Sequence, residues 1–494
     1  MMESRYLTVL VCIGLYMFVC VGVGVWALKR TKSTKDFFVA GRNLGVLVTS
    51  IAIFSSLISG FAFVGGPGLI YHAGMGSMWM AYAGVVGGCL SAVLVARRLR
   101  LIAELRDTLS LPDAVAARYN SATTRFLTAI AILLGVVGYL AVQILAMALV
   151  LQVLLVRSSL VSAIPLELCV LASCTVLVFY CTTGGIIASV YTDLFQGLVM
   201  LVAAVLVFFT ARSVLEGGFT AMTETVMSDD RETMGPWGSV SMMCGLSWFF
   251  LFVVGACGQP HVITKHMMFR HMADLKWIIP IAIVAGTITT MLTFSIGMVM
   301  RTLVLSGAHP ELATADAAAP DFLLGFAHPL LAGIVFAALF AAIMSSADSF
   351  LNIGAAALVH DIPRALGIRR NVSGLRDARL ATVAIALAAA GFGLYWGDLV
   401  VLLGAFGWGT FAAALVPVVA IGFNWKRATA RAANAAIVFS LVVNFGLRIF
   451  SIDVPWGIDG GAIALAGSLA LFIIISLLSK PRALDADIDA IMDL

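Results

Sequence analysis

Charge is what this chain of 494 residues has least of: Asp, Glu, Lys and Arg make up 11% of it, against about a quarter of a soluble domain. That scarcity excludes a water-exposed globular fold. With 61% hydrophobic residues and a mean hydropathy of +1.05, the chain reads as an all-α polytopic membrane protein. The spacings of metal and redox chemistry are missing too. No His-Glu-x-x-His pattern occurs, and none of the seven His pairs with a carboxylate at helical spacing within a span. The eight Cys show neither zinc-type spacing nor a disulfide framework and are read as buried thiols, so nothing points to an enzyme. No stretch has the composition of a second, soluble domain. The net charge of +4 does not point to nucleic acid, because the basic residues follow membrane topology. The first apolar segment has no small-residue cleavage pattern and reads as a retained span.

What is present is a series of apolar runs long enough to cross a bilayer. They lie near 6–28, 45–70, 76–96, 126–150, 160–181, 188–211, 239–263, 277–300, 328–359, 378–396, 399–422, 432–449 and 461–479. With the N-terminus outside, the segments assigned to the inside hold 24 of the 30 Lys and Arg. That is the alternation expected when cytoplasmic loops are basic. Thirteen transmembrane helices, N-terminus outside and C-terminus cytoplasmic, are therefore predicted within one transporter-sized domain, residues 1–480. The loops at 212–238 and 301–327 have room for a short lid helix. Residues 481–494 carry Asp485, Asp487, Asp489 and Asp493 and read as a short, solvated acidic tail.

Three features break the apolar pattern. Span 2 has Ser55, Ser56, Ser59 and Gly60 at its centre, followed by Gly65-Gly66-Pro67-Gly68. Span 7 ends in Gly255-Ala256-Cys257-Gly258-Gln259-Pro260-His261. Such runs favour interrupted helices, and they open two successive five-span blocks, about 45–211 and 239–422. Paired interruptions at corresponding positions point to the central site of a secondary transporter. The third feature is the polar knot Ala341-Ala342-Ile343-Met344-Ser345-Ser346-Ala347-Asp348-Ser349 in span 9. At 100° per residue Ala342, Ser345, Ser346 and Ser349 share a face, flanked by Asp348 and Asn352. Ser commonly lines packed membrane interfaces, but this concentration of oxygen also suits a hard cation. Asp193, beside Thr192 and one turn from Gln196, is the other acidic residue well inside a span; Glu167 and Asp398 sit near span ends.

The motifs Asp36-Phe37-Phe38-Val39-Ala40-Gly41-Arg42, Leu109-Ser110-Leu111-Pro112-Asp113, Gly184-Gly185 with Tyr191-Thr192-Asp193, Gly258-Gln259-Pro260-His261, and Ala341 to Ser346 occur in that order. Together they resemble the sodium:solute symporter family, nearest its sodium/proline branch, from about residue 5 to 480. The resemblance implies a leucine-transporter-type inverted repeat of five plus five helices and co-transported sodium. It implies a main sodium site built from the carbonyls of Ser55, Ile58 and Ala342 and the hydroxyls of Ser345 and Ser346. Asp193 stands where some members hold a second sodium. Asp348 is then a supporting residue that orients Ser345 and Asn352. The implied substrate contacts are Ser59, Gly60, Tyr139, Phe252, Ala256, Cys257, Gln259, Phe406 and Trp408, with Phe411 continuing the aromatic lining. Phe252 and Ala256 depart from the branch, which has larger aromatics there. Lys265 replaces an Arg of the branch and reads as a loop charge set by topology.

The function implied is sodium-coupled import of a small organic solute by alternating access, with proline or another small amino acid first and a small carboxylate as the alternative. A sensory receptor on the transporter fold is a further reading. The setting is a bacterial-type inner membrane, with lipid and a small-molecule substrate as partners.

Overall fold

Where the sequence offers a Ser, Thr or Asp before an apolar run, the chain enters a helix. Ser110, Ser121, Ser241, Thr429 and Asp459 each accept a hydrogen bond from a backbone N–H of the first turn that follows, satisfying donors that the helix itself leaves open. This is a computed structural model that describes residues 2–31, 33–42, 44–58, 61–158, 161–368, 375–395, 400–452 and 454–494.

The helices that matter below are α1 (Met2–Leu28), α2 (Val46–Leu57), α3 (Gly66–Ala73), α4 (Ala83–Ser91), α5 (Arg97–Leu105) and α6 (Leu111–Tyr119). The long helices α7 (Ala122–Arg157) and α8 (Leu166–Val214) follow, then α9 (Met242–Gly255), α10 (Pro260–His266), α11 (Ile278–Leu305) and α12 (Pro329–Ala356). The last are α13 (Leu375–Tyr395), α14 (Val400–Val416), α15 (Ala430–Ile449), α16 (Gly460–Leu478) and α17 (Ala486–Met492). Among the described residues, ten helices are long and apolar enough to cross a membrane, or eleven if the bent pair Met242–Gly258 and Pro260–His266 is one span. Val46–Leu57 and Phe406–Ile421 are apolar but shorter. The loops expected to hold lid helices contain Gly218–Asp229 and Ala318–Phe326.

The breaks fall where backbone chemistry places them. α2 ends at Ile58, whose backbone is extended (φ −92°, ψ 108°). Ser59 and Gly60 lie outside the described residues, as does Asp398. The second break, at Gln259, turns the chain by 44° before Pro260 starts α10; proline fits a first helical turn because it has no N–H to leave unpaired. A third bend divides α8 at Gly185 (φ 55°, ψ −153°). A Cβ there would stand 2.6 Å from Cδ2 of Phe37, so glycine serves both the left-handed turn and the close ring.

Around these breaks the helices sort by enclosure. In the most apolar stretch of the span that contains α12, 83% of residues are buried, against 28% for the span that contains α1. α12 is the central post: α8, α1, α7 and α2 all pack on it. The tail departs from the expectation of a solvated end. Its helix α17 packs on α5 and buries Ile488, Ile491 and Met492. Asp485 and Asp487 pair with Arg106, and Asp489 and Asp493 with Lys426. The acidic composition conceals an amphipathic turn whose apolar side has a surface to cover.

Candidate functional site

The polar knot of α12 meets the broken end of α2. Ser55 Oγ donates to Ser345 Oγ at 2.8 Å, Ser346 Oγ approaches the Ser56 carbonyl at 3.5 Å, and the hydroxyls of Ser56 and Ser349 lie 3.5 Å apart. All five serines are buried. A helix C-terminus leaves carbonyls without intrahelical donors, and the Ser56 carbonyl is the one that a hydroxyl of α12 meets. Ala342 lies one turn from Ser345 and Ser346 on the same helix and is fully buried. The result is a cluster of neutral oxygens between two helices, a donor set suited to a hard monovalent cation.

Asp348 and Asn352 reach beyond their own helix. Asp348 Oδ1 accepts from Ser189 at 2.8 Å and from Ser349 at 3.2 Å. Ser345 is engaged by Ser55, and Asn352 donates to the Phe37 carbonyl at 2.9 Å. Asp348 thus ties α12 to α8, and Asn352 ties it to the Thr34–Val39 helix.

Lys265 corrects the reading from sequence. It is no loop charge: its side chain is 1% exposed, and its ammonium lies 2.6 Å from the carboxylate of Asp193, which is 0% exposed. The same ammonium donates to the Ala52 carbonyl at 3.2 Å and to the Ser56 hydroxyl. The cause is the break at Gln259, which swings α10 against α2 and aims a residue next to a basic loop into the bundle. The other Asp193 oxygen is buried without a hydrogen bond of full length and angle, near Ser345 and Ser189.

Beside the break in α2 is a cavity of about 80 Å³, room for a few waters. Ile58, Tyr139, Phe252 and Trp408 line it, and so do Thr289, Thr290 and Thr293 of α11, which sequence reasoning missed. Their spacing puts three hydroxyls on neighbouring turns of an apolar span, the signal that could have found them. Phe252 and Trp408 stack with ring centroids 4.9 Å apart, and Trp408 Nε1 donates to the Leu251 carbonyl at 3.2 Å. Of the other described candidates, Ala256, Cys257, Gln259, Phe406 and Phe411 do not line it. Ala256 and Cys257 are fully buried, and a Cβ on Gly87 of α4 would lie 2.7 Å from that of Ala256, so a larger residue at 256 would push α4 away. Gln259 spends its amide on the Gly255 and Trp408 carbonyls, both at 3.2 Å. Phe406 packs edge-on against Phe445, and Phe411 stacks on Phe350.

A second polar cluster joins α6 to the end of the α12 span. His360 Nε2 lies 2.7 Å from Asp113 Oδ2, Arg125 pairs with Asp113 at 2.9 Å, and Ser110 Oγ donates to Asp361 at 2.6 Å. Burial pushes the Asp113 carboxyl up, but the hydrogen bond from His360 and the charges of His360, Arg125 and Arg364 outweigh it and hold the group below its ordinary value. Asp113, His360 and Asp361 gather their ligand atoms within 4.8 Å. With Asp113 already matched by His360 and Arg125, the cluster is charge-compensated from within.

Comparison with known proteins agrees with this architecture. The sodium:solute symporter family matches residues 37–439. The osmoregulated proline transporter of Bacillus subtilis is 26% identical over 87% of this chain and 86% of its own length. The sodium/proline symporter of Salmonella typhimurium is 27% identical over 95% and 93%, and the sodium/pantothenate symporter of Escherichia coli 26% identical over 89% and 90%. Among solved structures, a Na+-coupled sialic acid symporter in a substrate-bound outward-open state aligns over 97% of this chain and 99% of its own, with a TM-score of 0.75 at 19% identity. A nucleobase-cation-symport-1 family transporter aligns over 92% and 98%, with a TM-score of 0.56 at 15% identity. These resemblances define a helical membrane transporter and not an enzyme. The chain belongs to the sodium:solute symporter family.

Proposed function

We propose that this protein imports a small organic solute, proline or another small amino acid first, together with sodium across a bacterial plasma membrane. The contact between Ser55 and Ser56 of the broken helix and Ser345, Ser346 and Ser349 of α12 carries the reading. Sodium takes the carbonyls of Ser55, Ile58 and Ala342 and the hydroxyls of Ser345 and Ser346, and so ties α12 to α2. The solute then occupies the adjoining cavity between Tyr139, Phe252 and Trp408. Outer closure follows, and inward opening pulls α2 from α12 and releases the ion. One sodium ion moving down the potential supplies about 2.3 kcal/mol per 100 mV, and a further ~1.4 kcal/mol per tenfold concentration ratio.

The membrane arrangement belongs to the same proposal. Adding Val46–Leu57 and Phe406–Ile421 to the ten long helices and the bent pair makes thirteen spans. Two five-span repeats, about 45–211 and 239–422, would place the two breaks in corresponding positions, with the N-terminus outside and the tail cytoplasmic. A small carboxylate is the second reading, favoured by the pantothenate symporter's likeness, which at 26% identity equals that of the Bacillus subtilis proline transporter. Uptake of labelled proline and of small carboxylates into proteoliposomes decides between the two. An imposed sodium gradient should drive one of them; if a proton gradient drives uptake and sodium does nothing, the coupling assignment is wrong.

A further inference from the structure

We propose that Lys265 is a tethered cation filling the Asp193 site, so that one sodium ion, not two, accompanies each solute. The inference rests on the sodium-coupled reading above. The Lys265 ammonium has three donors and three oxygen partners, one of each kind a sodium ion would choose: the Asp193 carboxylate at 2.6 Å, the Ala52 carbonyl at 3.2 Å and the Ser56 hydroxyl. They come from α8 and α2, while the ammonium comes from α10. The group is therefore coordinated by the elements that would enclose a mobile ion there, and burial leaves it no water to share. An isolated buried charge is costly, and Asp193 and Lys265 answer each other's cost.

The charge balance fits one mobile ion. The fixed charges in and around the serine knot, among the described residues, are Asp193, Asp348 and Lys265. Two carboxylates and one ammonium leave a single negative charge, which one sodium ion neutralises. Ser56 joins the two places: its hydroxyl accepts from Lys265, its carbonyl meets Ser346, and its neighbour Ser55 bonds Ser345. The tethered cation thereby holds the end of α2 beside α12 while the mobile ion's place is being filled or vacated. Sequence alone set Lys265 among loop charges; the break at Gln259 makes it a coupling residue.

Binding of radioactive sodium to the purified full chain, displaced by unlabelled sodium chloride, tests this without knowledge of the solute. The wild type should bind one sodium with a Hill coefficient near 1, and Lys265→Arg should do the same. Lys265→Ala, with Asp193 and Ser56 released, should bind two with a Hill coefficient rising toward 2. Two sodium ions on the wild type, or one on a folded Lys265→Ala, overturns the proposal. If Lys265→Ala does not fold, Lys265→Gln, neutral and of similar length, replaces it: two sodium ions support the tethered cation, and one overturns it. No sodium on the wild type refutes the sodium-coupled reading instead. Lys265→Ala then still decides for Lys265, by gaining one ion or none.

Discussion

Two ion pairs in this protein have the same N–O separation, 2.6 Å, and opposite surroundings. Lys265 and Asp193 are 1% and 0% exposed; Arg106 and Asp487 are 34% and 36% exposed. The inner pair has no water to return to, so each charge depends on the other for its solvation. The outer pair is screened by solvent and gives up little when it parts. The distance is shared, but the burial decides what each pair does. The first fixes α10 against α2 and α8 in the middle of the bundle; the second only helps an amphipathic tail to lie on α5.

The comparison is tested most severely at its inner end. Lys265→Met should destabilise the protein by about 3–5 kcal/mol, the cost of orphaning a buried charge, read as a fall in the unfolding temperature in detergent. Lys265→Met with Asp193→Asn should recover most of that loss. If the single variant loses no more than a tail variant, burial is not the deciding quantity.

The Asp113 cluster is intermediate, a buried carboxylate whose partners reach toward solvent. Because the Asp113 carboxyl is held below its ordinary value, its contribution is present above about pH 3.9, the unfolded value, and is lost as pH falls through the lower folded value. Asp113→Asn should cost roughly 1.5–3 kcal/mol near neutral pH and flatten the acid limb of a stability–pH curve. An unchanged limb would place the sensitivity elsewhere.

The uncharged contrast to the inner pair is the serine knot. Ser345→Ala with Ser346→Ala should raise half-saturating sodium for uptake at least tenfold, about 1.4 kcal/mol, with expression intact. An unaltered sodium requirement would reduce these serines to packing. The smallest effect belongs to the tail: Asp485→Asn with Asp487→Asn should shift stability by less than about 1 kcal/mol per pair, and only at low salt. A larger, salt-independent loss would show that α17 contributes more than its charges suggest.

The α12 knot and the two breaks could be read in advance because they are local properties: Ser and Gly weaken a helix wherever they fall, and hydroxyls 100° apart share a face in any helix. Ser55 and Ser345 could be named, though not their direct contact, which joins residues 290 positions apart. Lys265 was misread because a basic residue after an apolar run looks the same whether it faces water or folds back. Ala256 gave no sign that α4 would press against it. Thr289, Thr290 and Thr293 passed as ordinary span residues until a cavity opened beside them.

The sequence by itself determined that this chain is a helical membrane protein with broken helices and an oxygen-rich centre, since burial in lipid demands apolar runs and punishes every polar exception. Only the tertiary structure decided which exceptions meet. Partners for a buried charge are chosen by the packing of helices distant in sequence, and that choice joins Asp193 of α8 to Lys265 of α10 and turns a loop-edge lysine into the fixed cation of the core.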